Sequence, residues 1–597
     1  MTKDATSANR LKLKLLLLCT AYILLAPRAA PVAAWAQGAQ RAAADALFRE
    51  GSDAFAGGDM KKAQADFARL VQLAPNVAVG HSAYGAVLLA EGDLRHAVLE
   101  LTTARRLDPN QPEATINLAV ARMRLGDYAE AVRLFREVPE GAVRLQPSEV
   151  LAYAVALRGI GDRDSAEAQL RKSLAIHASG PDAAQLWDAL GSLEAQQDHY
   201  DTAAEMFQKS LAANHGYAPA HAHLGSVLLL EGKYPDAVAE LRTASDLGDN
   251  SLAAQVDLGR ALSLSGDDTH AVSLLRALSS AHPESLDAQY AFALALEASG
   301  QSAEALPLFA KVTDARPHDA AALTNYGLAL VQSGDAKSAL AIYARAASIS
   351  AASPALLEDT GVAYLQTNDI EHAIEQFRAA LDQDPRNAQL HYDLGLAYKL
   401  KDDLPQAIVE LQRAQSLDPD LPDPAYTLGV IRMQQGNAAE AVHDLQRAVT
   451  LNPKNGEAWA LLGAEEKDAG NLDAAIDALR HAIVLEPDQP SPHITLAAIL
   501  SANGDREAAA AERRTAADLS RSAMKKQRAG FALQSGRALL KQGDIAGAVL
   551  QLQDAVAAEP ELKEAHLLLA DALQKQGRSA DALAERQKAE RIGAGVQ

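Results

Sequence analysis

The sequence predicts an all-α solenoid built from one repeated pair of helices, and three observations predict it. Stepping by 34 residues from Gly191 lands on Gly225, Gly259, Ala293, Gly327, Gly361, Gly395, Gly429, Gly463 and Ala497, always Gly or Ala. The same step from Ala203 lands on Ala237, Ala271, Ala305, Ala339, Ala373, Ala407, Ala441, Ala475 and Ala509 without exception. Between the two columns a Gly-Asp pair recurs, as at Gly92-Asp93, Gly266-Asp267, Gly334-Asp335 and Gly543-Asp544, and a proline closes many units, as at Pro75, Pro109, Pro385, Pro419 and Pro453. Self-similarity at one fixed period is the signature of a repeat architecture.

The unit is clearest in Ala388–Leu421, where His391, Leu394, Gly395, Tyr398, Ala407, Leu411, Ala414 and Pro419 stand at positions 4, 7, 8, 11, 20, 24, 27 and 32. Gly in a helix interior is roughly 1 kcal/mol worse than Ala, so its recurrence at position 8 implies a packing contact too close for a larger side chain. The Ala at position 20 on the second helix is the expected partner. Gly-Asp ends one helix in a left-handed residue and caps the next, and the proline stops the second helix. This pattern resembles the tetratricopeptide repeat family, whose unit is a helix-turn-helix of 34 residues. The resemblance covers nearly everything after residue 43. It implies a right-handed α-solenoid, or superhelix, of about sixteen helix pairs, with ligands held in a concave groove lined by the first helices.

Taken in order, the units begin at Ala44, Ala78, Pro112, Pro147, Ala184, Ala218, Leu252, Leu286, Ala320, Pro354, Ala388, Pro422, Gly456, Pro490, Ala529 and Lys563. The surplus residues are localised to Gln146, to Pro181-Asp182-Ala183 and to Met524–Arg528. These are the expected joints, dividing the chain into repeats one to four (44–180), an uninterrupted run of repeats five to fourteen (184–523) and repeats fifteen and sixteen (529–596), whose last helix is polar enough to cap the stack. Repeat fourteen departs most from the pattern, with Arg513 at position 24. From Arg506 to Arg528 there are seven basic and three acidic residues, which reads either as an elongated solvated helix or as a contact patch for an anionic partner or membrane surface.

Residues 1–36 lie outside the repeat and read as a signal peptide: Lys3, Arg10, Lys12 and Lys14, then the apolar run Leu15–Ala26, then Ala34-Trp35-Ala36 as a cleavage site. Cleavage after Ala36 makes the protein exported, periplasmic or secreted, with no integral span in the mature chain. It also removes Cys19, the single cysteine, and with it any disulfide, thiol chemistry or Cys-based metal site.

No catalytic constellation emerges. Gly80-His81-Ser82-Ala83-Tyr84-Gly85 has its second Gly one residue late for a nucleophile elbow and falls in a helix. Phosphate-binding glycine loops are absent. His215, His221 and His223 cluster in sequence, but His221 and His223 are two apart on a helix and point to different faces, so His221 reads as a packing residue at position 4 together with Trp187 and Trp459. A net charge of -21 speaks against nucleic acid. No enzyme activity, cofactor or metal is expected.

What remains is binding. The resemblance places positions 2, 5, 9, 12 and 13 of the first helix in the groove, which gives Tyr290, Tyr392, Tyr426, Arg260, Lys399 and Lys467 as candidate contacts, with Asp188, Glu297, Glu358 and Asp423 as acidic ones. Tyr392 and Tyr426 fall in adjacent repeats and either grip an extended peptide or sugar ring or pack against a neighbouring helix. The Lys and Asn that chaperone-binding members use to clamp a C-terminal carboxylate, at positions 5 and 9, occur in no repeat. The expected function is a protein-binding scaffold of the cell envelope, the alternative an accessory to polysaccharide synthesis or export. No run of alternating strands that could form a barrel pore is present.

Overall fold

The computed structural model describes residues 39–139, 141 and 143–594; the expected signal peptide and Cys19 lie outside the described residues. Among those residues there are 31 helices and no strands. They alternate as first and second helices of the repeat, as in Ala388–Leu400 with Leu404–Leu417 and Pro422–Gln434 with Ala438–Leu451. The chain divides into two compact units, residues up to Ser350 and residues from Ala351. The first holds repeats one to nine and the second repeats ten to sixteen. The 34-residue register passes this division without an insertion; what differs locally is Ala351 at position 32, where proline is usual.

The punctuation works as the residue types demand. Gly92 (φ 82°) ends its helix in the left-handed region, and Asp93 caps the next one by accepting from the His96 amide. Asn368 (φ 60°) and Asp402 (φ 66°) take the glycine's place in repeats ten and eleven, these being among the side chains that tolerate this conformation. The three insertions are absorbed in different ways. Gln146 becomes the N-cap of Pro147–Gly159, its amide donating to the Glu149 carboxylate at 2.8 Å. Pro181-Asp182-Ala183 lengthens the start of the helix Gly180–Ala195. Met524–Arg528 makes no turn: the second helix of repeat fourteen runs straight into the first helix of repeat fifteen as one 37-residue helix, Arg506–Gln542.

Where position 8 is glycine the close contact is real, but the group that fills it is not the one expected. A Cβ on Gly395 would lie 2.8 Å from Leu411 Cγ, and on Gly259 2.4 Å from Leu275 Cγ. On Gly191, Gly327 and Gly361 it would strike the rings of Phe207, Tyr343 and Phe377. The immediate neighbour is therefore the side chain at position 24. The position-20 alanine stands behind it, its backbone carbonyl 3.3 Å away for Ala407 and 3.1 Å for Ala475. A Gly costs the helix about 1 kcal/mol, whereas fully burying a Leu or Phe is worth about 1.5–3 kcal/mol. The missing side chain at position 8 lets the large one at position 24 be buried, and Leu411, Leu275, Phe207 and Phe377 are at most 1% exposed. The position-20 alanines from Ala203 to Ala475 are all fully buried.

This arrangement predicts opposite signs for one substitution at two helical glycines. Gly327→Ala drives a Cβ into Tyr343 and should destabilise the first unit by about 1–3 kcal/mol, overpacking outweighing propensity. At Gly530, where nothing lies within 4 Å of the new Cβ, Ala should stabilise by about 0.5–1 kcal/mol. Urea unfolding of the two variants beside the parent decides it; equal shifts would remove the close-contact account.

Candidate ligand groove

The first helices carry two recurring polar devices, and both act between elements. The first is at position 4. His81 Nδ1 donates to Glu100 Oε2 (2.5 Å) on the second helix of its own repeat, and Nε2 to the Pro75 carbonyl (2.9 Å) that closes the preceding repeat. The same pair of bonds is made by His221 with Glu240 and the His215 carbonyl, by His391 with Glu410 and the Pro385 carbonyl, and by His566 with Glu585 and the Pro560 carbonyl. Trp459 reaches the Pro453 carbonyl with its indole N–H at 3.0 Å. Position 4 thus pins a first helix to two other segments, and the packing role expected for His221 is a specific hydrogen-bonded bridge. Both nitrogens of His81 face acceptors, which only the doubly protonated ring satisfies. Its pKa is raised, chiefly by the Glu100 hydrogen bond, against opposition from burial and from Arg106.

The second device links position 5 of one repeat to position 6 of the next. Asp188, buried, accepts from His223 Nδ1 (2.8 Å), and Tyr290 accepts from Asn325 Nδ2 (2.6 Å), each pair 35 residues apart. Tyr392 bonds to Thr427 in the same relation. This revises the expected groove contacts. Tyr290 is only 3% exposed and packs edge-on against Phe309, because a residue at position 5 is covered by the neighbouring first helix. It is an interface residue between repeats eight and nine and presents no open face.

Tyr392 and Tyr426 are half-buried. Burial raises the Tyr426 hydroxyl to about 12, aided by its hydrogen bond to Glu457 and by Tyr392 nearby. Arg260 lies beside Asp257, 3.6 Å away, which also accepts from Ser226 Oγ. Lys467 pairs with Asp468, and Lys399 is half-buried on the first helix of repeat eleven. Burial raises the carboxyls of Glu297 and Glu358, while Asp423 is exposed. Asp188, Arg260, Tyr290 and Glu297 belong to the first unit and the remaining candidates to the second. In the second unit, however, Glu358, Tyr392 and Tyr426 occupy position 5 of three successive repeats.

Two residues that the sequence reading passed over are the most perturbed acids there. Asp393 is pushed up to about 7 by burial and then by Glu358, its one hydrogen bond coming from Gln389 at 3.0 Å. Asp359 is raised to about 6 by burial and by Glu358. The available signal was an acid at position 6 of repeats ten and eleven, with Glu at position 5 of repeat ten: the relation that elsewhere joins a donor to an acceptor here joins two acids.

The candidate nucleophiles and histidines read from the sequence are not brought together among the described residues. Ser192, one turn after Asp188, is fully buried and without a hydrogen-bond partner, so no serine–histidine–aspartate chain forms. Gly80–Gly85 is buried helix apart from Tyr84. His221 and His223 bond to different helices, and among the described residues no three His, Cys, Asp or Glu groups are placed to hold a metal ion.

Family models described as tetratricopeptide repeat match residues 45–76, 88–144, 290–355, 388–421, 426–492 and 533–596, and one described as TPR repeat matches 361–402. The chain belongs to the tetratricopeptide repeat family. No curated protein matches the sequence. Among solved structures this TPR chain is similar to the APC/C hetero-tetramer Cut9-Hcn1, at 16% identity and a TM-score of 0.40 over 76% of this chain and 96% of that one. It is similar to yeast Tom70 at 17% identity and a TM-score of 0.32, covering 80% and 97%, and to MamA at 26% identity and a TM-score of 0.26, covering 27% and 94%. No helix among the described residues is long and apolar enough to cross a membrane.

Two pH effects of opposite sign follow. His81 has its pKa raised on folding, so its contribution is fully present below the unfolded value of about 6.5 and fades as pH rises through the folded one. His81→Gln, which keeps a donor for the Pro75 carbonyl, should flatten the change in melting temperature of the first unit between pH 5.5 and 8.5; an unchanged slope refutes the bridge. Asp393 is an acid with a raised pKa, so it costs stability increasingly from its unfolded value of about 4 up to about 7. Asp393→Asn should raise the melting temperature of the second unit at pH 8 and leave it nearly unchanged at pH 4, and a pH-independent effect would count against the two-acid contact.

Proposed function

We propose that this TPR protein is a non-catalytic scaffold of the cell envelope, exported behind residues 1–36, that binds extended segments of protein partners along its first helices. Tyr392 and Tyr426 carry the reading. They stand at equivalent positions of adjacent repeats, each half-buried, and Asp423 and Glu457 beside them, with Glu358 at the same position one repeat earlier, suit a segment bearing Lys or Arg. Rigid aromatic rings held by hydrogen bonds lose little freedom on binding, which fits them as anchors for a chain lying across the repeats. The leader's charge and apolar pattern support the envelope setting, and the family supports protein partners.

A second reading, an accessory to polysaccharide synthesis or export, is favoured by one feature only: two neighbouring tyrosines also make a platform for a sugar ring. Immobilised chain, exposed to an envelope extract in moderate salt, should retain specific proteins that the Tyr392→Ala/Tyr426→Ala variant does not. Retention that soluble polysaccharide competes away would transfer the site to the second reading, and equal retention by the variant would remove the tyrosines from either.

A further inference from the structure

The solenoid is interrupted once inside the second unit, and the interruption leaves a socket open. In repeats eleven, thirteen and sixteen position 3 is Leu390, Ala458 and Ala565, each fully buried; Pro424 and Pro492 are buried at the same position of repeats twelve and fourteen. The second helix of the preceding repeat packs there, as Ile370–Gln383 packs on Ala388–Leu400. Repeat fifteen has no such neighbour, because the preceding second helix runs on in line as Arg506–Gln542. Its position 3 is Phe531, 79% exposed, and the adjacent Gly530 faces open space. Two core clusters flank this place, one of Ala475, Leu479, Leu496 and Ile499 and another that begins at Ala532.

The surroundings of Phe531 are cationic. Residues 521–528 are exposed on every side of the helix, and Met524 is 62% exposed. Arg513, Arg521, Met524, Arg528 and Phe531 follow at steps of three, four and eight, and so share one face. Arg521 pairs with Asp518, Arg528 with Asp554 and Lys526 with Asp488, while Arg513, Arg514 and Lys525 have no acidic partner among the described residues.

We propose that the face from Arg513 to Phe531 is a docking surface for an acidic amphipathic helix of a partner protein, lying outside the tyrosine groove and independent of it. The occupant is a helix because a helix seals the same position at the other junctions of this unit. It is acidic because seven basic residues against three acidic ones flank the socket, in a chain whose net charge is -21. A second copy would bring an identical basic segment against the first. A planar anionic bilayer would meet, besides this face, the acids beside it at Asp488, Asp518 and Asp554. A single helix is narrow enough to address the face alone.

The test uses the purified chain and a labelled synthetic helix of about 20 residues with Leu on one face and Glu on the other, beside a control in which Lys replaces Glu. Fluorescence anisotropy should show binding of the acidic peptide only, weakened about ten-fold or more by Phe531→Ser and by Arg513→Glu/Lys525→Glu, reduced by salt and unaffected by Tyr392→Ala/Tyr426→Ala. All three substituted side chains are exposed, and circular dichroism checks that the variants fold. Binding that ignores Phe531 and the charges overturns the proposal. So does sedimentation with phosphatidylglycerol vesicles, lost in these variants, when the peptide does not bind; that result assigns the face to lipid. A dimer that Phe531→Ser dissociates overturns it in favour of a second copy.

Discussion

The contact between position 8 and position 24 is the constraint on which the rest depends. A glycine without a side chain faces a Leu, Phe or Tyr that would otherwise have nowhere to go, and the fully buried alanine at position 20 brings the second helix close enough for the exchange. Because the contact is internal to each hairpin, it fixes the pairing angle of two helices and says little about how one hairpin meets the next. Stacking is governed by other positions: the imidazoles that reach back to the preceding carbonyl, the 5-to-6 relation along the first helices, and the buried side chain at position 3. The hairpins are consequently near-identical while their junctions vary, and variation at the junctions is where a repeat protein acquires individuality.

That separation explains what was legible in the sequence. Helix existence, register and order were legible because close packing admits so few residues at positions 8 and 20. The left-handed turn was legible where Gly stands and hidden where Asn368 or Asp402 replaces it. Groove residues were poorly legible, since a solenoid's position 5 has two neighbours to choose between, solvent and the next repeat. Tyr290 found Asn325 and Asp188 found His223, and both left the surface. Tyr392 makes the same lateral bond and yet stays half-exposed, a difference of local packing that no spacing rule encodes. Asp393 escaped notice for a related reason: the Glu358 that acts on it lies 35 places away, while Asp359 is raised by burial and by the Glu358 next to it.

The counted insertions show how far arithmetic goes. Gln146 and Pro181-Asp182-Ala183 are soaked up at helix starts, where an extra residue costs a cap or a turn and no more. Met524–Arg528 is different in kind because its composition forbids a turn. Ser-Ala-Met-Lys-Lys-Gln-Arg holds no Gly, Pro, Asn or Asp, and nearly every member is a good helix former. The punctuation that separates all other repeats is missing here, so the helix propagates. The division at Ser350 shows the converse, since there the count is perfect and the compact units still part.

Repeat fourteen carries the same chemical signs as repeat sixteen. Both have alanine at position 8, as Ala497 and Ala570, and arginine at position 24, as Arg513 and Arg586, and both arginines are exposed where other repeats bury a large apolar knob. Both also keep the position-4 histidine bonded to a glutamate, His493 to Glu512 and His566 to Glu585. In repeat fourteen the large side chain at position 24 is thus exchanged for an exposed charge, and the straight helix that follows runs on into repeat fifteen. Beyond the straight segment Phe531 stands exposed at position 3. The proposed docking surface joins these two departures: the cation and the ring lie on one face of one helix, so a single partner can meet both.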